Sequence, residues 1–398
     1  MRRVVSLLLM LFLVAAPRCA IAQHTVQASD VLPPALLKSG AHTVDPTVRV
    51  FDWLYVFTVR SQYGTYEVTS IPMLQQRVHE IGVLAAAAQT SNLGSYATAL
   101  QTTNPVQLLA VSQAVNYNFQ IATPSQTGWA SKFIPVGNYG PQAIMSEVVC
   151  ASIQTSLDCE GQANTRRQLA SQWGLDVYTT NPQIQQFLAS IVQAQATGTK
   201  TGSMTAPAEV RAYDIPGTQD ADVLAALRDK TPGQLNSMND GTLRSLGVDD
   251  ATRSAFLTNP FFSPRHLTVI CANLKKMKAV DGLENYLGST LQDSTETEAL
   301  FAMVQSGMIV KSNSAAPLAN VRRIERIPMC FNSAGNMYVF APLEYLFVPT
   351  QSQGALQTLK QAGGTGTKTI VITGTATADA KALLTQNGFS VVESFLNN

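Results

Sequence analysis

The chain has 398 residues, of which 45% are hydrophobic, and its 27 basic and 26 acidic side chains give a formal net charge of +1. Only 13% of the residues are charged, against about a quarter in an average globular protein. This balance excludes the basic surface typical of proteins that bind nucleic acid or anionic membranes. The length and hydrophobic content are sufficient for a large core in two or three domains.

The first 22 residues have the features of an export signal. Arg2 and Arg3 form a positive N-terminal region, and residues 4–16 form an apolar run of 13. That run is too short for a membrane span, which needs about 20 apolar residues. The small residues of Ala20-Ile21-Ala22 predict cleavage before Gln23.

Two other interpretations of this segment fit less well. A signal anchor would need a longer apolar run, and a lipoprotein would need small residues before Cys19, where Pro17 and Arg18 stand instead. Cleavage removes three arginines and no acid, so the formal charge becomes −2. We expect an exported protein, periplasmic or extracellular, with no transmembrane helix after cleavage.

Four cysteines follow the cleavage site, which permits two disulfides in an oxidising compartment. Cys150 and Cys159 are close in sequence within a loop-rich stretch, and we favour a bridge between them. Cys271 lies on the apolar face of a predicted helix and Cys330 in a predicted strand, so a long-range bridge and two buried thiols both stay open. The chain has no Cys-x-x-Cys pair, which indicates neither a thioredoxin-type redox site nor a zinc ribbon.

The N-terminal region is predicted to combine strands and helices. Residues 23–47 are polar and are expected to form an extended lead-in. Residues 50–60 are rich in aromatic and β-branched side chains, and residues 65–70 alternate in polarity, which predicts a β-hairpin. Apolar residues at helical spacing then predict a helix from Pro72 to about Gln89.

The middle of the chain is predicted to be mainly helical. A capping residue followed by proline recurs at Asn181-Pro182, Thr231-Pro232 and Ser263-Pro264, and this pair is typical of helix starts. The predicted helices cover residues 165–173, 182–196, 220–230, 232–239, 241–247 and 249–258, with further helices starting at 264, 282 and 294 or 295. Residues 197–207 have the Gly, Ser, Thr and Pro composition of a linker.

The last eighty or so residues turn to β-structure. Strands are predicted at 324–331, 337–340 and 345–348, followed by a helix at 356–361. The strand-helix-strand pattern over 368–393 predicts a parallel crossover. The expected fold class is α+β, with an N-terminal β-hairpin plus helices, a mainly helical middle, and a C-terminal sheet with a βαβ closure.

The composition and the predicted elements suggest a division of the chain into regions. We predict a signal peptide (1–22), an extended lead-in (23–47), an N-terminal α+β region (48–196), a linker-like segment (197–207), a helical region (208–316) and a C-terminal α/β region (317–398).

Four segments resemble recurring features of an uncharacterised group of exported bacterial proteins of unknown function. They are Leu175–Pro182, Asn259–Pro264, Thr295–Phe301 and Ile372–Val391 with its Gly-Thr-Ala-Thr and Asn-Gly-Phe turns. The resemblance implies export and one overall layout over roughly residues 50–395. It implies no activity and no catalytic residue.

Two glycine-containing segments have features of phosphate or anion sites. Ala362–Thr369 ends in Lys-Thr like a P-loop, but Thr367 and Ala362 stand where that motif requires glycine, and the segment precedes a strand instead of following one. We interpret it as a flexible turn. Gly374 lies between a strand and a helix, where backbone amides can bind an anion, although an ordinary tight turn explains it as well.

The histidines and acids give no catalytic motif. His79-Glu80 begins like a zinc-protease motif, but Val83 stands where the second histidine belongs, and we expect His24, His42, His79 and His266 to be surface or capping residues. A serine triad would have to use His79 or His266, and no Gly-x-Ser-x-Gly elbow is present. A carboxylate pair of the glycosidase kind stays open. Its candidates are Glu67, Glu80, Asp158, Glu160, Glu296, Glu298 and Glu344.

An aromatic run at Phe51–Phe57 fits either a sugar-binding platform or, as we prefer, the half-buried face of a hairpin. We assign no catalytic residue, no cofactor and no metal. The leading hypothesis is a non-catalytic exported envelope protein that binds or scaffolds, with an envelope protein or a cell-wall component as partner and no nucleic acid. The alternative is an exported hydrolase that uses a carboxylate pair.

Overall fold

The computed structural model describes residues 24–90, 92–102, 159–201, 204–348 and 353–397. Its helices in these ranges are α1 (Ala28–Val31), α2 (Pro34–Leu37), α3 (Ile71–Ala88), α4 (Gly94–Ala99), α5 (Cys159–Gln172), α6 (Pro182–Ala196), α7 (Ala221–Asp229), α8 (Pro232–Ser245), α9 (Asp250–Leu257), α10 (Pro264–Lys276), α11 (Leu283–Thr290), α12 (Glu296–Ala315), α13 (Gln353–Ala362) and α14 (Ala378–Gln386). The export signal, Cys150 and Asp158 lie outside the described residues.

The strands form two five-stranded sheets and one two-stranded pair. They are β1 (Thr25–Gln27), β2 (His42–Val44), β3 (Thr47–Phe51), β4 (Leu54–Ser61), β5 (Gly64–Thr69), β6 (Leu318–Ile324), β7 (Ile327–Asn332), β8 (Met337–Ala341), β9 (Tyr345–Leu346), β10 (Lys368–Ile372), β11 (Thr375–Ala376) and β12 (Phe389–Val392). The predicted α+β class is confirmed.

The N-terminal sheet is antiparallel and is built around β4. The predicted hairpin is confirmed as β4 and β5, which pair from Val56↔Thr69 to Ser61↔Gly64. Two expectations were wrong. The segment expected as an extended lead-in instead contains β1, β2 and two short helices within residues 24–47. Residues 50–60 are not one strand, because a tight turn at Asp52 and Trp53 divides β3 from β4 without any glycine or proline to announce it.

The helical middle follows its capping signals closely. The side chains of Asn181, Thr231, Ser263 and Thr295 each accept a hydrogen bond from a backbone N–H in the first turn of the helix that follows. One expectation was wrong: the two helices predicted within residues 232–247 are the single helix α8. Its buried leucines pack on α10, and this burial overrides the cost of a glycine inside the helix.

The C-terminal sheet is mixed, with the strand order β12-β10-β8-β7-β6. The predicted parallel strand-helix-strand unit is confirmed, since β10 pairs in parallel with β12 and α14 connects them. The prediction of a strand at 324–331 was wrong about where that strand begins. A turn at Glu325 and Arg326 divides that region into the antiparallel pair β6 and β7, and β6 was missed.

Two groups of buried apolar side chains form the interior. The larger runs from Ala28 to Leu396 and includes the N-terminal sheet and the middle helices, and the smaller lies around the C-terminal sheet and includes Trp53. Cys271 and Cys330 are buried free thiols, and burial raises the pKa of both, that of Cys330 to about 12. The predicted regional boundaries stay predictions.

The carboxylate of Glu344 joins the two sheets. It is 1% exposed, and it accepts hydrogen bonds from the backbone N–H of Tyr55 at 2.8 Å and of Ile71 at 2.5 Å. Ile71 is the first residue of α3, so the carboxylate satisfies one of the N–H groups that a helix start leaves without a partner. The backbone of Glu344 also contacts Trp53 and Thr375, which links β4, α3 and β11 at one residue.

Burial raises the pKa of Glu344 to about 8 from its ordinary value of 4.5, although the two backbone donors oppose this shift. The folded protein therefore keeps this proton to about pH 8, whereas the unfolded chain releases it near pH 4.5. The resulting stabilisation is complete below pH 4.5 and is lost as the pH rises through 8.

We predict that Glu344→Gln lowers the free energy of unfolding by about 1–3 kcal/mol, because the amide nitrogen cannot accept from a backbone N–H, whereas both oxygens of the protonated carboxyl group can. The loss should be largest near pH 5 and smaller near pH 9, measured by urea denaturation at both values. Glu67→Gln is the matched control, since Glu67 forms only an exposed ion pair with Arg49 and its loss should cost less than about 1 kcal/mol. Equal stability of the Glu344 variant and the wild type at both pH values would contradict the assignment.

Candidate ligand-binding site

The turn between β3 and β4 is the first element of the candidate site. Phe51 and Leu54 close a two-residue turn in which Asp52 has a φ of 47° and Trp53 a φ of 64°. Such turns normally use glycine or asparagine, and a positive φ is strained for a residue as large as tryptophan. The surrounding structure must therefore hold this turn in place.

Trp53 provides that anchorage. Its indole N–H donates to Phe347 O at 2.7 Å, and its carbonyl oxygen accepts from the backbone N–H of Glu344 and of Tyr345, both at 3.0 Å. Its ring stacks on Phe347 with the ring centroids 5.6 Å apart. While Trp53 is buried, Phe51 on the other side of the turn remains 66% exposed. The turn thus presents a phenyl ring to solvent beside the C-terminal sheet.

A cleft of about 470 Å³ opens next to this turn, and we name it the apolar cleft. It lies between the turn, the first half of α12, one face of the C-terminal sheet, and helices α13 and α14. Its lining side chains are mostly aliphatic and aromatic, and include Phe51, Leu54, Phe301, Val339, Phe340, Leu346, Leu356, Leu359, Ile370 and Leu384. Its volume falls in the range of about 300–1,000 Å³ that is typical of small-molecule sites.

The periodicity of the flanking helices explains the apolar walls. Leu356 and Leu359 are three residues apart on α13, so they lie on one face of the helix and both line the cleft. In α12, Phe301 and Gln305 are four residues apart and line the opposite wall. Only the second of these pairs carries a polar group into the interior.

One end of the cleft is polar and is closed by a hydrogen-bonded network. A terminal nitrogen of Arg326 donates to Asp293 and, at 3.0 Å, to Glu298 Oε1. Glu298 Oε2 accepts from the backbone N–H of Ser294 at 2.6 Å and from the hydroxyls of Ser294 and Thr295. Burial raises the pKa of Asp293 to about 7, and the neighbouring Arg326 opposes that shift. Each carboxylate in this network already has a partner.

A second, smaller cavity of about 190 Å³ lies among α3, α5, α7 and residues 174–177. Charged side chains line it, together with His79 and His266. These charged residues are Glu80, Asp176, Glu209, Arg167, Arg211, Arg228 and Arg265. A catalytic mechanism based on carboxylates would have to use this charged cavity.

Glu80, the most buried acid of this cavity, is saturated with donors. It is 1% exposed, and it accepts from Arg77 at 2.5 Å, Thr179 at 2.5 Å, Asn181 at 2.8 Å and Gln76 at 3.2 Å. An ionised carboxylate has about four acceptor positions, and here all of them are occupied. Glu80 therefore fixes α3 to the start of α6 and has no acceptor position left for a substrate.

Asp176 and Glu296 lie within electrostatic range of Glu80, and burial raises the pKa of both. Asp176 is 3.5 Å from Arg265, and Glu296 accepts from the Thr180 hydroxyl at 3.1 Å without lining the cavity. The structure thus brings two of the predicted acids, Glu80 and Glu296, to one region. Sequence analysis did not identify Asp176 as their neighbour.

The remaining predicted acids are dispersed. Glu67 is exposed beside Arg49, Glu298 lies at the polar end of the apolar cleft, and Glu344 joins the two sheets. Asp158 and the side chain of Glu160 lie outside the described residues.

The four histidines occupy separate structural positions. The two ring nitrogens of His42 form hydrogen bonds with the Ser39 hydroxyl and with Leu36 O, and burial lowers the pKa of His42. His79 contacts Trp173 O at 2.9 Å, and His24 packs beside Tyr345 and Phe347. His266 completes the cap at the start of α10, and burial lowers its pKa to about 3. Within the described ranges, no group of three His, Cys, Asp or Glu side chains is arranged to hold a metal ion.

The glycine-containing segments are structural. The ammonium group of Lys368 donates to Gly364 O at 2.8 Å and Gly366 O at 2.9 Å, which ties the P-loop-like segment to itself. The Gly374 N–H donates to Leu343 O, and any side chain at Gly374 would collide with the backbone of Glu344. Its amide is therefore not available to an anion.

The aromatic run does not form a sugar platform. Trp53, Tyr55 and Phe57 are 6%, 2% and 0% exposed, and only Phe51 faces solvent. In the parts of the chain that the structure describes, no helix is long and apolar enough to cross a bilayer. Comparison with protein-family models, curated proteins and solved structures found no match to this chain.

We predict that Glu80→Leu destabilises the protein by about 3–5 kcal/mol, because it leaves Arg77 buried without its partner. The double variant Arg77→Met/Glu80→Leu should recover part of this loss, since no unpaired charge remains. Urea denaturation of the three proteins tests this.

The exposed ion pair of Arg49 and Glu67 supplies the control, in which Glu67→Leu should cost less than about 1 kcal/mol. A Glu80 variant as stable as the wild type would show that this carboxylate is not held for structural reasons.

Proposed function

We propose that this protein is an exported, non-catalytic binding protein that holds a small, mainly apolar molecule in the apolar cleft. Export rests on the signal-like residues 1–22. Binding rests on one observation, the cleft of about 470 Å³ lined by apolar side chains with a few polar groups at one end.

The strained turn supports the same proposal. Trp53 is held at a positive φ by three hydrogen bonds, and the result is that Phe51 stands exposed at the mouth of the cleft. Strain of this kind persists only where other contacts enforce it, and it concentrates at ligand sites. An exposed phenyl ring at the mouth would gain burial when a ligand enters.

The polar groups around the cleft favour binding over catalysis. Glu298 and Asp293 are both engaged with Arg326, and Glu298 is further held by Ser294 and Thr295. A general acid or base would need a free position for the proton it transfers. Here the carboxylates instead fix the start of α12, which shapes one wall of the cleft.

A fluorescence titration with N-phenylnaphthylamine tests the proposal, since this uncharged dye emits strongly in apolar surroundings. We expect saturable binding with a Kd below about 100 μM, as a ligand of this size usually achieves in a preformed pocket. Ala341→Trp should weaken binding at least tenfold, because Ala341 lines the cleft and an indole would fill it.

The matched control is Ala319→Trp, since Ala319 is also a partly buried strand residue of the C-terminal sheet but does not line the cleft. Thr297→Trp is a second variant that places an indole in the cleft, since Thr297 is a partly exposed lining residue of α12. A partly exposed position tolerates a large side chain better than a buried one. Folding of each variant is checked by thermal denaturation. Unchanged dye binding in both blocking variants would contradict the proposal.

A second candidate function is an exported hydrolase that uses carboxylates, favoured by the proximity of Glu80, Asp176 and Glu296 and by the raised pKa of the last two. Incubation of the pure protein with envelope polymers tests it. Hydrolysis that Asp176→Asn and Glu296→Gln abolish, with dye binding intact, would establish this function. Absence of hydrolysis would leave the ligand cleft as the functional site.

A further inference from the structure

The charges around the apolar cleft restrict the ligand that it can hold. The charged side chains among its lining residues are Asp52, Glu298 and Arg326. Arg326 is already engaged with Glu298 and with Asp293 behind it. The two acids that line the cleft outnumber the arginine, whose charge is already paired, so a carboxylate or phosphate group on a ligand would meet net repulsion.

A cationic ligand is not favoured either. Glu298 receives four hydrogen bonds from Ser294, Thr295 and Arg326, so it has no acceptor position left for an ammonium group. Asp52 is exposed to solvent on the turn, where an ion pair contributes little. Moving an ammonium group from water into an apolar space without a partner is costly. Charge therefore points to an uncharged ligand.

Gln305 contributes an amide group to the lining of the cleft. The residue is 6% exposed and lines the cavity, and its amide nitrogen donates to Phe340 O at 2.6 Å. This contact fixes the orientation of the amide, since the reverse orientation would place two oxygens together. Among the residues that the structure describes, no donor is paired with Gln305 Oε1. A donor on a ligand that reaches this oxygen would therefore form a hydrogen bond that the protein itself does not provide.

We propose that the ligand of the apolar cleft is an uncharged, mainly apolar molecule with a hydroxyl or N–H donor, and that Gln305 Oε1 accepts its hydrogen bond. This inference rests on the proposed binding function and adds the chemical class of the ligand. The cleft of about 470 Å³ is large enough for a molecule the size of a medium-chain alcohol or amide.

Displacement of bound N-phenylnaphthylamine by four decyl compounds tests the inference. The compounds are n-decanol, decyl methyl ether, decanoate and decylammonium, which share a chain and differ in donor and charge. At a pH of about 8, where both ions are fully charged, decanol should displace the dye at a concentration at least about tenfold lower than either ion. Decanol should also displace the dye at a concentration about fivefold to tenfold lower than decyl methyl ether does, because the ether has no donor.

The variant Gln305→Met isolates the proposed hydrogen bond. It keeps the length of the side chain and removes the amide, so the advantage of decanol over the ether should fall below about twofold. Gln75→Met is the matched control: Gln75 is equally buried but lies away from the apolar cleft, so this variant should keep the full difference. The ratio between two ligands is measured within each variant, which separates recognition from any loss of stability.

The outcomes distinguish the two proposals. If the dye does not bind to the wild-type protein, the proposed function fails. If the dye binds and decanoate displaces it as well as decanol does, the binding function stands and the inference about an uncharged ligand is overturned. If Gln305→Met keeps the difference between decanol and ether, Gln305 is not the acceptor.

Discussion

One buried carboxyl group, that of Glu344, connects the N-terminal sheet and α3 to the C-terminal region. Its two oxygens accept from Tyr55 at the start of β4 and from Ile71 at the start of α3, while its backbone contacts Trp53. The residue is 1% exposed, so solvent has little access to these bonds. The starts of β4 and α3 are thereby fixed to a loop of the C-terminal region. A buried acceptor of this kind is costly to lose.

The apolar cleft depends on this junction. The backbone N–H groups of Glu344 and Tyr345 hold the carbonyl of Trp53, and that contact keeps the turn from Phe51 to Leu54 in a conformation which the sequence alone disfavours. If the turn relaxed, Phe51 and Leu54 would leave the wall of the cleft. The strain at Trp53 and the site beside it therefore have a common cause, located in residues nearly three hundred positions apart in the chain.

Much of the fold follows from local signals in the sequence. Helix starts at Asn181, Thr231, Ser263 and Thr295 could be predicted because a cap and its helix are neighbours in sequence. The turn at Asp52 and Trp53 could not, because contacts from Phe347 and Glu344 enforce it against local preference. The cleft could not be predicted from the sequence either. Glu298 and Phe301 belong to a segment that was recognised only by its helix cap, and no local pattern marks Gln305 or Arg326.

The distribution of buried charge then separates structure from function in this chain. Glu80 drew attention in the sequence as part of a histidine-glutamate pair, yet four donors occupy it, and a saturated carboxylate cannot take up a substrate. Gln305 drew none, yet among the described residues no donor is paired with its amide oxygen, while Phe340 O holds its amide nitrogen. Satisfied polar groups hold a fold together, whereas an acceptor beside an apolar cleft can still take a hydrogen bond from a ligand. The acceptor on Gln305 and the apolar walls together favour the cleft between Phe51 and the C-terminal sheet over the most charged cavity as the ligand site.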